Sequence, residues 1–510
     1  MTSIFSKVDL TKGKIWKAIL YFTIPIFISY FCQQIYNISD AAICGFYLNK
    51  NEVAGIGNTG SITFMILQFA VGCMSGFSVV TASAIGKKDQ IEARKSLLCQ
   101  IILSTIISVI LTVVSMLALD PLLSFLGVTP QSNIEIYESA YTYIAIMVIG
   151  CFTQVFYNLG TCFLRSLGDA KTPLIWLAIG IGLNIVLDFL FIAVFNFGVA
   201  GAAFATIIGQ FTAATGIFIY IFVKLKEYRF HKDDFHFAKG FIYKHLKLGV
   251  PLGLQCSILA IGLIVMQGTM IQFDLMPDGT LGNDAQVGYT TACKLGNFLC
   301  MPYIALGTAM LSFCGQNYGA RNYERLKKGI IQSSFIALGI FILFGIIGFL
   351  LTIDGVYMRI FLSSDKITPN VIKYGNLYLY VIIPFEIFLA GIFLYRNILQ
   401  GLERPLFPFL AGVIELPARV LVCLFLPQAI NGGPINNMAS DTAYVAFSFA
   451  DAIAWVAACF ILVIGIIIFF KQIKKMEEIK KMEDKEVVIE NDTNKDMVQW
   501  KFHWTFFHTT

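Results

Sequence analysis

The sequence predicts an all-α polytopic membrane protein whose twelve transmembrane helices form two pseudo-symmetric six-helix lobes. The composition, the length of the apolar segments and an internal repeat support this prediction. Of the 510 residues, 57% are apolar and 14% are Asp, Glu, Lys or Arg, against roughly a quarter in an ordinary soluble domain. A mean hydropathy of +0.73 is too high for a soluble body with one anchor, which excludes a water-soluble enzyme.

Twelve apolar segments are long enough to cross a bilayer, which takes about 20 residues of helix. They must be helices, because an apolar segment in lipid satisfies its backbone polar groups in no other way, and barrel strands would be shorter and alternating. In chain order, the spans cover roughly 15–44, 53–84, 97–119, 136–163, 173–195, 199–223, 245–272, 286–314, 329–353, 371–398, 406–430 and 443–470.

The basic residues between these spans collect on one side of the membrane. Nearly all of them lie at the termini or after spans 2, 4, 6, 8 and 10, including Arg165 and Lys171 after span 4. By the positive-inside rule, both termini are therefore expected in the cytoplasm. The net charge of +5 belongs to these loops, and no nucleic-acid partner is expected. The histidines of the central region, His231, His236 and His245, are assigned to one charged loop.

The chain repeats itself after about 230 residues. Pro25 in span 1 corresponds to Pro251 in span 7, and segment 164–173 corresponds to segment 399–408. An even number of spans gives both halves the same orientation, a common transporter plan with the substrate path between the halves. The predicted parts are a cytoplasmic N-terminal segment 1–14, an N-lobe 15–224, a cytoplasmic linker 225–244, a C-lobe 245–470 and a charged cytoplasmic tail 471–510. Up to about Glu490, this tail is either a solvated helix or disordered.

Seven ionisable residues remain inside the predicted spans, where each costs several kcal/mol unless it is paired or faces water. Five of them are acids and two are bases, and this negative surplus favours binding of a cation. The seven are Asp40, Asp188, Lys294, Glu386, Glu415, Arg419 and Asp451.

The acids of the first half could form a cation site. Asn184 lies four residues before Asp188 and therefore on the same helix face, and Asp40 and Thr206 could add oxygens from two other spans. Oxygen ligands without His or Cys suit Na⁺ or a proton shared between carboxylates, and do not suit zinc or copper. The alternative is that both acids only hydrogen-bond to neighbouring helices. Two further polar residues near Asp40 are Gln34 and Asn37.

The charges of the second half allow other interpretations. Glu415 and Arg419 are four residues apart in span 11, which favours a self-contained ion pair. Lys294 either neutralises Glu386 or Asp451 or belongs to a second relay site, and the sequence leaves both alternatives open.

These features resemble the multidrug and toxic compound extrusion (MATE) family of secondary transporters over nearly all of residues 10–470. The most specific segments are LRSLGDAKTP at 164–173 and FGVAGAAFAT at 197–206. The resemblance weakens at 399–408, where LQGLERPLFP lacks the Gly-Asp motif. The resemblance implies a V-shaped pair of lobes and a cation site on Asp40, Asn184, Asp188 and Thr206, where the bound metal ion would be Na⁺. Gln34, Asn37 and Asn158 would support this site or line the substrate cleft.

The expected function is a secondary active multidrug efflux antiporter that exchanges organic cations or amphiphilic drugs for Na⁺ or H⁺ by alternating access. The protein is expected to be a monomer in contact with the lipids of the plasma membrane, which is the inner membrane if the source is bacterial. No cofactor is expected besides the coupling ion. The alternative is a lipid-linked oligosaccharide flippase of the same superfamily, which would need several Arg or Lys residues to bind a pyrophosphate. An enzyme is not expected, since no metal or nucleophile constellation is present.

Overall fold

The computed structural model describes residues 8–125, 127–131 and 133–507. This part of the chain is mainly α-helical, and its only β-type pairing is an isolated bridge between Leu275 and Leu281. Contacts divide the chain into two units, one ending at Leu462 and one starting at Val463. All the site residues considered below belong to the first unit.

Fifteen α-helices follow one another along the described residues. They are α1 (Ile15–Tyr47), α2 (Lys50–Gly86), α3 (Gln90–Leu117), α4 (Leu119–Phe125), α5 (Ile134–Ile149), α6 (Cys151–Ser166), α7 (Lys171–Asp188), α8 (Gly198–Lys224), α9 (Phe241–Gln272), α10 (Asp284–Gly319), α11 (Tyr323–Thr352), α12 (Met358–Phe361), α13 (Pro369–Gly401), α14 (Leu406–Asn431) and α15 (Asp441–Phe507). A π-helical turn at Phe189–Val194 continues α7.

The helices of the described residues account for the predicted spans. Eleven are long and apolar enough to cross a membrane, and α5 and α6, which meet at a 44° bend, together form a twelfth. The bend occurs at Gly150, which separates the two helices. The prediction of a twelve-helix membrane fold is therefore confirmed.

The LRSLGDAKTP segment forms the turn between α6 and α7. One carboxylate oxygen of Asp169 accepts hydrogen bonds from the backbone N–H groups of Lys171 (3.1 Å) and Thr172 (3.0 Å). These N–H groups belong to the first turn of α7, where no carbonyl of the helix can accept from them. Gly168 has a φ of +79°, and a Cβ there would lie 2.2 Å from the carbonyl oxygen of Val8. Gly168 therefore permits both the turn and a close approach of the N-terminal segment.

One histidine lies in a helix and not in the loop predicted for it. His245 does not lie in a loop with His231 and His236, because α9 already begins at Phe241. His245 is fully buried, with Nε2 2.8 Å from the hydroxyl oxygen of Ser96 and Nδ1 3.0 Å from the carbonyl oxygen of Phe241. It is a packed core residue between α3 and α9.

The charged tail is helical in the structure. Its residues continue α15 to Phe507 without a break. Of the two alternatives left open by the sequence, the helix is the one observed.

The two halves of the chain pack through small residues of α2, α9 and α10. A Cβ on Gly76 of α2 would lie 2.5 Å from the Cα atom of Gly249 in α9. Near the ends of α2 and α10, a Cβ on Gly319 would lie 2.0 Å from the carbonyl oxygen of Ser83. Lipid provides no hydrophobic force between helices, so this close backbone contact supplies much of the packing energy.

The N-terminal segment before α1 connects the two halves. The backbone N–H of Val8 donates to the carbonyl oxygen of Gly168 at 3.0 Å. Leu10 is fully buried, and its carbonyl oxygen accepts hydrogen bonds from Asn317 Nδ2 and Arg325 Nε, both at 3.1 Å. Residues of the first half and the second half are thus bound to one short segment at the end of the bundle that carries the basic loops.

The glycine contacts give a stability prediction. Gly76→Ala is expected to lower the free energy of unfolding by about 1–3 kcal/mol, because the added methyl group has no space against α9. Gly339→Ala in α11 is the matched control, since apart from its own helical turn no atom of the described residues lies within 4 Å of its Cβ position. The melting temperature of each variant is measured in detergent, where a thiol dye reacts with the buried cysteines as the protein unfolds. Equal melting temperatures for the two variants would contradict the packing described here.

Candidate cation site and substrate cavity

The two acids of the first half approach each other from α1 and α7. Asp188, at the end of α7, is fully buried, and Asp40 of α1 lies close enough to interact with it. Asn184 and Thr206 are 2% and 4% exposed. The four residues predicted as a cation site therefore lie on three helices around one place in the structure.

Several polar atoms of this group have no hydrogen-bond partner among the described residues. They are one carboxylate oxygen of Asp40, both carboxylate oxygens of Asp188, and the amide oxygen and nitrogen of Asn184. Buried polar atoms are almost always hydrogen-bonded, so such a cluster needs an explanation. Carboxylate and amide oxygens are ligands that a hard cation prefers, and a proton on either acid could also join the two carboxyl groups.

The backbone around Asp188 differs from a regular helix. The π-helical turn at Phe189–Val194 begins at the residue after Asp188. A π turn rotates the following side chains relative to an α-helix and occurs often at functional sites. On the opposite side, the Tyr36 hydroxyl lies 3.1 Å from the Thr206 hydroxyl and connects α1 to α8. Neither Tyr36 nor the π turn was predicted from the sequence.

A cavity of about 500 Å³ opens beside these acids within the first half. Asp40, Asn184 and Thr206 line it, together with Asn37 and Asn158, two of the predicted supporting residues. Its volume is within the range of pockets that bind drug-sized ligands. The other lining residues include Tyr30, Gln33, Tyr36, Gln68, Tyr143, Gln154, Tyr157, Arg165 and Gln210.

The buried charges of the second half form a continuous bonded chain. Arg419 donates to Glu415 at 3.0 Å and to Asp451 at 2.9 Å. Asp451 also accepts a hydrogen bond from the Tyr378 hydroxyl at 2.8 Å, and Glu415 from Arg396 Nη2 at 3.4 Å. Two acids and two bases compensate one another, which is the usual condition for burying charge.

A family model described as MatE matches the chain twice, at residues 25–190 and 261–425. The chain belongs to the MatE family. The second match begins 236 residues after the first (261 minus 25), which agrees with the internal repeat found in the sequence.

Curated relatives of this MatE protein span most of its length. The probable multidrug resistance protein YpnP of Bacillus subtilis is 28% identical over 395 residues, which cover 77% of this chain and 84% of the relative. The probable multidrug resistance protein NorM of Thermotoga maritima is 26% identical, and the match covers 79% of this chain and 83% of the relative. The FAD transporter of Shewanella oneidensis is 22% identical, with 84% and 90% covered.

Solved structures show the same fold. A multidrug resistance MATE family transporter of the MOP superfamily in an outward-facing conformation has a TM-score of 0.77 at 23% identity, with 93% of this chain and 99% of that chain covered. A MOP superfamily transporter from Pyrococcus furiosus has a TM-score of 0.78 at 23% identity, with 92% and 99% covered. The MatE chain is accordingly a multi-pass membrane protein with the twelve-helix fold of these transporters.

Two of the predicted site residues lie elsewhere than expected in this MatE protein. Gln33 lines the cavity in place of Gln34, since neighbouring residues of a helix point about 100° apart. Lys294 is exposed and forms no ion pair with Glu386 or Asp451 in the described part of the chain. Asp451 is bound by Arg419 instead, so neutralisation by Lys294 is not observed.

One buried base was missing from the sequence-based count. Arg396 of α13 lies inside the predicted span 371–398 and is 8% exposed. Added to the seven residues named from the sequence, it gives five acids and three bases, so the negative surplus of this set is smaller than expected. Glu386 is also buried, and it accepts a hydrogen bond from the Tyr303 hydroxyl at 3.4 Å.

The bonded chain of the second half gives a second stability prediction. Arg419→Gln is expected to destabilise the protein by about 3–5 kcal/mol, because it leaves Asp451 buried without a cation and leaves Glu415 with Arg396 alone. Adding Asp451→Asn is expected to restore part of this loss, because it removes the unpaired charge and keeps the pair of Glu415 and Arg396. The melting temperatures of the single and double variants test the prediction, and a single variant as stable as the unmodified protein would contradict it.

Proposed function

We propose that this MatE protein is a secondary active antiporter that exports organic cations or amphiphilic compounds in exchange for Na⁺ or H⁺. The observation that carries the proposal is the cluster of unpartnered buried polar atoms on Asp40, Asn184 and Asp188 beside a ligand-sized cavity. The multidrug names of several relatives support the export of small molecules. They do not favour the flippase alternative.

The coupling ion would bind between Asp40 and Asp188, with Asn184 and Thr206 as further oxygen ligands. Asp40 also lines the cavity, whereas Asp188 is buried behind it. A substrate amine in the cavity can therefore reach Asp40, and it would compete with the ion for the same negative charge. Competition of this kind couples the transport of the ion to the transport of the substrate, because the two do not occupy the site together.

Helix α1 would transmit the state of this site to the second half. It packs against both α7 and α10. On its α10 side, the Tyr30 hydroxyl lies 3.3 Å from the Thr308 hydroxyl, and the rings of Phe31 and Phe298 are 6.0 Å apart. Asp40 is on the same helix, so an ion that draws Asp40 toward Asp188 would also shift the contacts with α10.

The positions of the basic loops support an orientation with both termini in the cytoplasm of a plasma-membrane protein. In that orientation, the contacts of Leu10 with Asn317 and Arg325 lie on the cytoplasmic side, where they hold the two halves together. Alternating access would require these contacts to break when the cavity opens inward.

Ion-driven efflux tests the proposal. Purified protein in liposomes is expected to move a cationic dye under an imposed Na⁺ or proton gradient, and Asp40→Asn and Asp188→Asn are each expected to reduce the rate at least about tenfold. Asp278→Asn, in an exposed loop, is the matched control and should transport normally. Separate Na⁺ gradients at constant pH and pH gradients without Na⁺ identify the ion. Normal ion-driven efflux by both site variants would refute the coupling site.

A further inference from the structure

A second cavity lies at the end of the first half that carries the basic loops. It is formed by the turn between α6 and α7, the first turn of α7 and the end of α8, and is called the α7–α8 groove below; its lining residues lie within 167–175 and 220–225. Its volume of about 320 Å³ is at the lower end of the range of ligand pockets. The groove shares no lining residue with the cavity beside Asp40, so it is a separate place in the structure.

One side of the α7–α8 groove is apolar and faces lipid. Ile175 lies on the membrane-spanning helix α7 and is 45% exposed. Lys171 lies four residues before it, on the same helix face and nearer the end of the helix. At the end of α8, Tyr220 and Leu225 are half-buried and complete the apolar side. The groove thus has an apolar part along the helices and a polar mouth at their ends, and a phospholipid has the same two parts.

The mouth of the groove is surrounded by lysines. Lys171 lines the groove, and Lys224 and Lys226 are the chain neighbours of the lining residue Leu225. All three lysines are exposed at the surface. Neither Lys224 nor Lys226 forms an ion pair with an acid of the described residues, so both charges are available to a ligand.

The acid that lines the groove is occupied by its own turn. One carboxylate oxygen of Asp169 accepts from the backbone N–H groups at the start of α7, and the other accepts from the Thr172 hydroxyl at 2.7 Å. Asp169 is 8% exposed, so little of its carboxylate faces the groove. Segments 167–172 and 224–229 together contain four bases and two acids, which leaves a net charge of +2 around the mouth. The mouth therefore favours an anionic ligand.

We propose that the α7–α8 groove binds an anionic phospholipid, with its phosphate against Lys171 and the neighbouring lysines and an acyl chain along Ile175. The basic loops place this end at the cytoplasmic face, where membranes carry anionic lipids and where basic pockets between membrane helices bind their headgroups. Phosphatidylglycerol has the required negative charge, whereas the choline of phosphatidylcholine adds a positive charge beside the lysines. The inference does not rest on the proposed function, since it uses neither the coupling ion nor the transported substrate.

A lipid in the groove would hold the start of α7 against the end of α8. Helix α7 ends at Asp188, which is seventeen residues from Lys171, or about 25 Å along the helix axis. The lipid would therefore stabilise one end of the helix whose other end carries an acid of the candidate cation site. Because a ligand of the folded state stabilises that state, phosphatidylglycerol is expected to raise the melting temperature of the protein.

A matched pair of lipids tests the inference. The delipidated full-length protein in detergent is titrated with palmitoyl-oleoyl phosphatidylglycerol and, separately, with phosphatidylcholine of the same acyl chains, and native mass spectrometry measures the affinity for the first bound molecule. The unmodified protein is expected to bind phosphatidylglycerol at least about fivefold more tightly, the ratio for about 1 kcal/mol from one basic residue beside an anionic headgroup. Inorganic phosphate in large molar excess is expected not to displace it, because phosphate has no acyl chain.

Substitutions then assign the preference to the groove. Lys171→Gln is expected to lower the affinity for phosphatidylglycerol about fivefold and to leave the affinity for phosphatidylcholine nearly unchanged. Ile175→Trp keeps every lysine but fills the apolar side, so it is expected to weaken the binding of both lipids. Lys327→Gln removes an exposed lysine from the start of α11 in the second half, and as the matched control it should bind both lipids normally. Melting temperatures without lipid show that each variant is folded.

Several outcomes would overturn the inference. Equal affinities of the unmodified protein for the two lipids would do so, as would an equal loss in Lys171→Gln and Lys327→Gln, which would indicate attraction to the whole basic face. Unchanged binding in Lys171→Gln or in Ile175→Trp would place the lipid elsewhere. Displacement of the lipid by inorganic phosphate would assign the lysines to a soluble anion. None of these measurements uses an ion gradient, so their failure would leave the proposed antiporter unaffected.

Discussion

The structure depends on the cost of placing charge inside a membrane, which proteins meet by pairing the charge or by exposing it to a cavity. One half of this chain pairs its buried charges, and the other half places them beside a cavity. In the second half, Arg419 lies between Glu415 and Asp451, and the bonded chain extends to Arg396. In the first half, Asp40 and Asp188 lie next to a cavity, and neither forms an ion pair with a base of the described residues. The repeat is thus preserved in the fold, while the chemistry has diverged.

Close backbone packing connects these charges to the rest of the molecule. Glycines such as Gly76 bring α2 against α9, and Leu10 of the N-terminal segment is bound by residues of the second half. Helix α1 follows that segment and carries Asp40, so a single helix contacts the acid pair, the cavity and the opposite half. An ion bound at one place can therefore affect a distant interface through a short physical path.

The helices could be predicted from the sequence, because a span of about 20 apolar residues has one stable conformation in lipid. The residues of the candidate cation site could also be named, since few polar groups remain in the spans. The direction of each side chain could not be predicted, which is why Gln34 was named in place of Gln33. The ends of the spans could be placed only to within a few residues, and His245 was therefore assigned to a loop although it belongs to α9. The π turn after Asp188 and the burial of Leu10 depend on tertiary contacts that no local pattern records.

Competition between ion and substrate for the acids of the first half is the central claim. It is tested most directly by the affinity of purified protein for a simple organic monocation, measured at increasing Na⁺ concentration and at several pH values. The affinity is predicted to fall as the concentration of the coupling ion rises, and to become insensitive to that ion in Asp188→Asn. An affinity that stays constant over the whole range of both ions would contradict the claim.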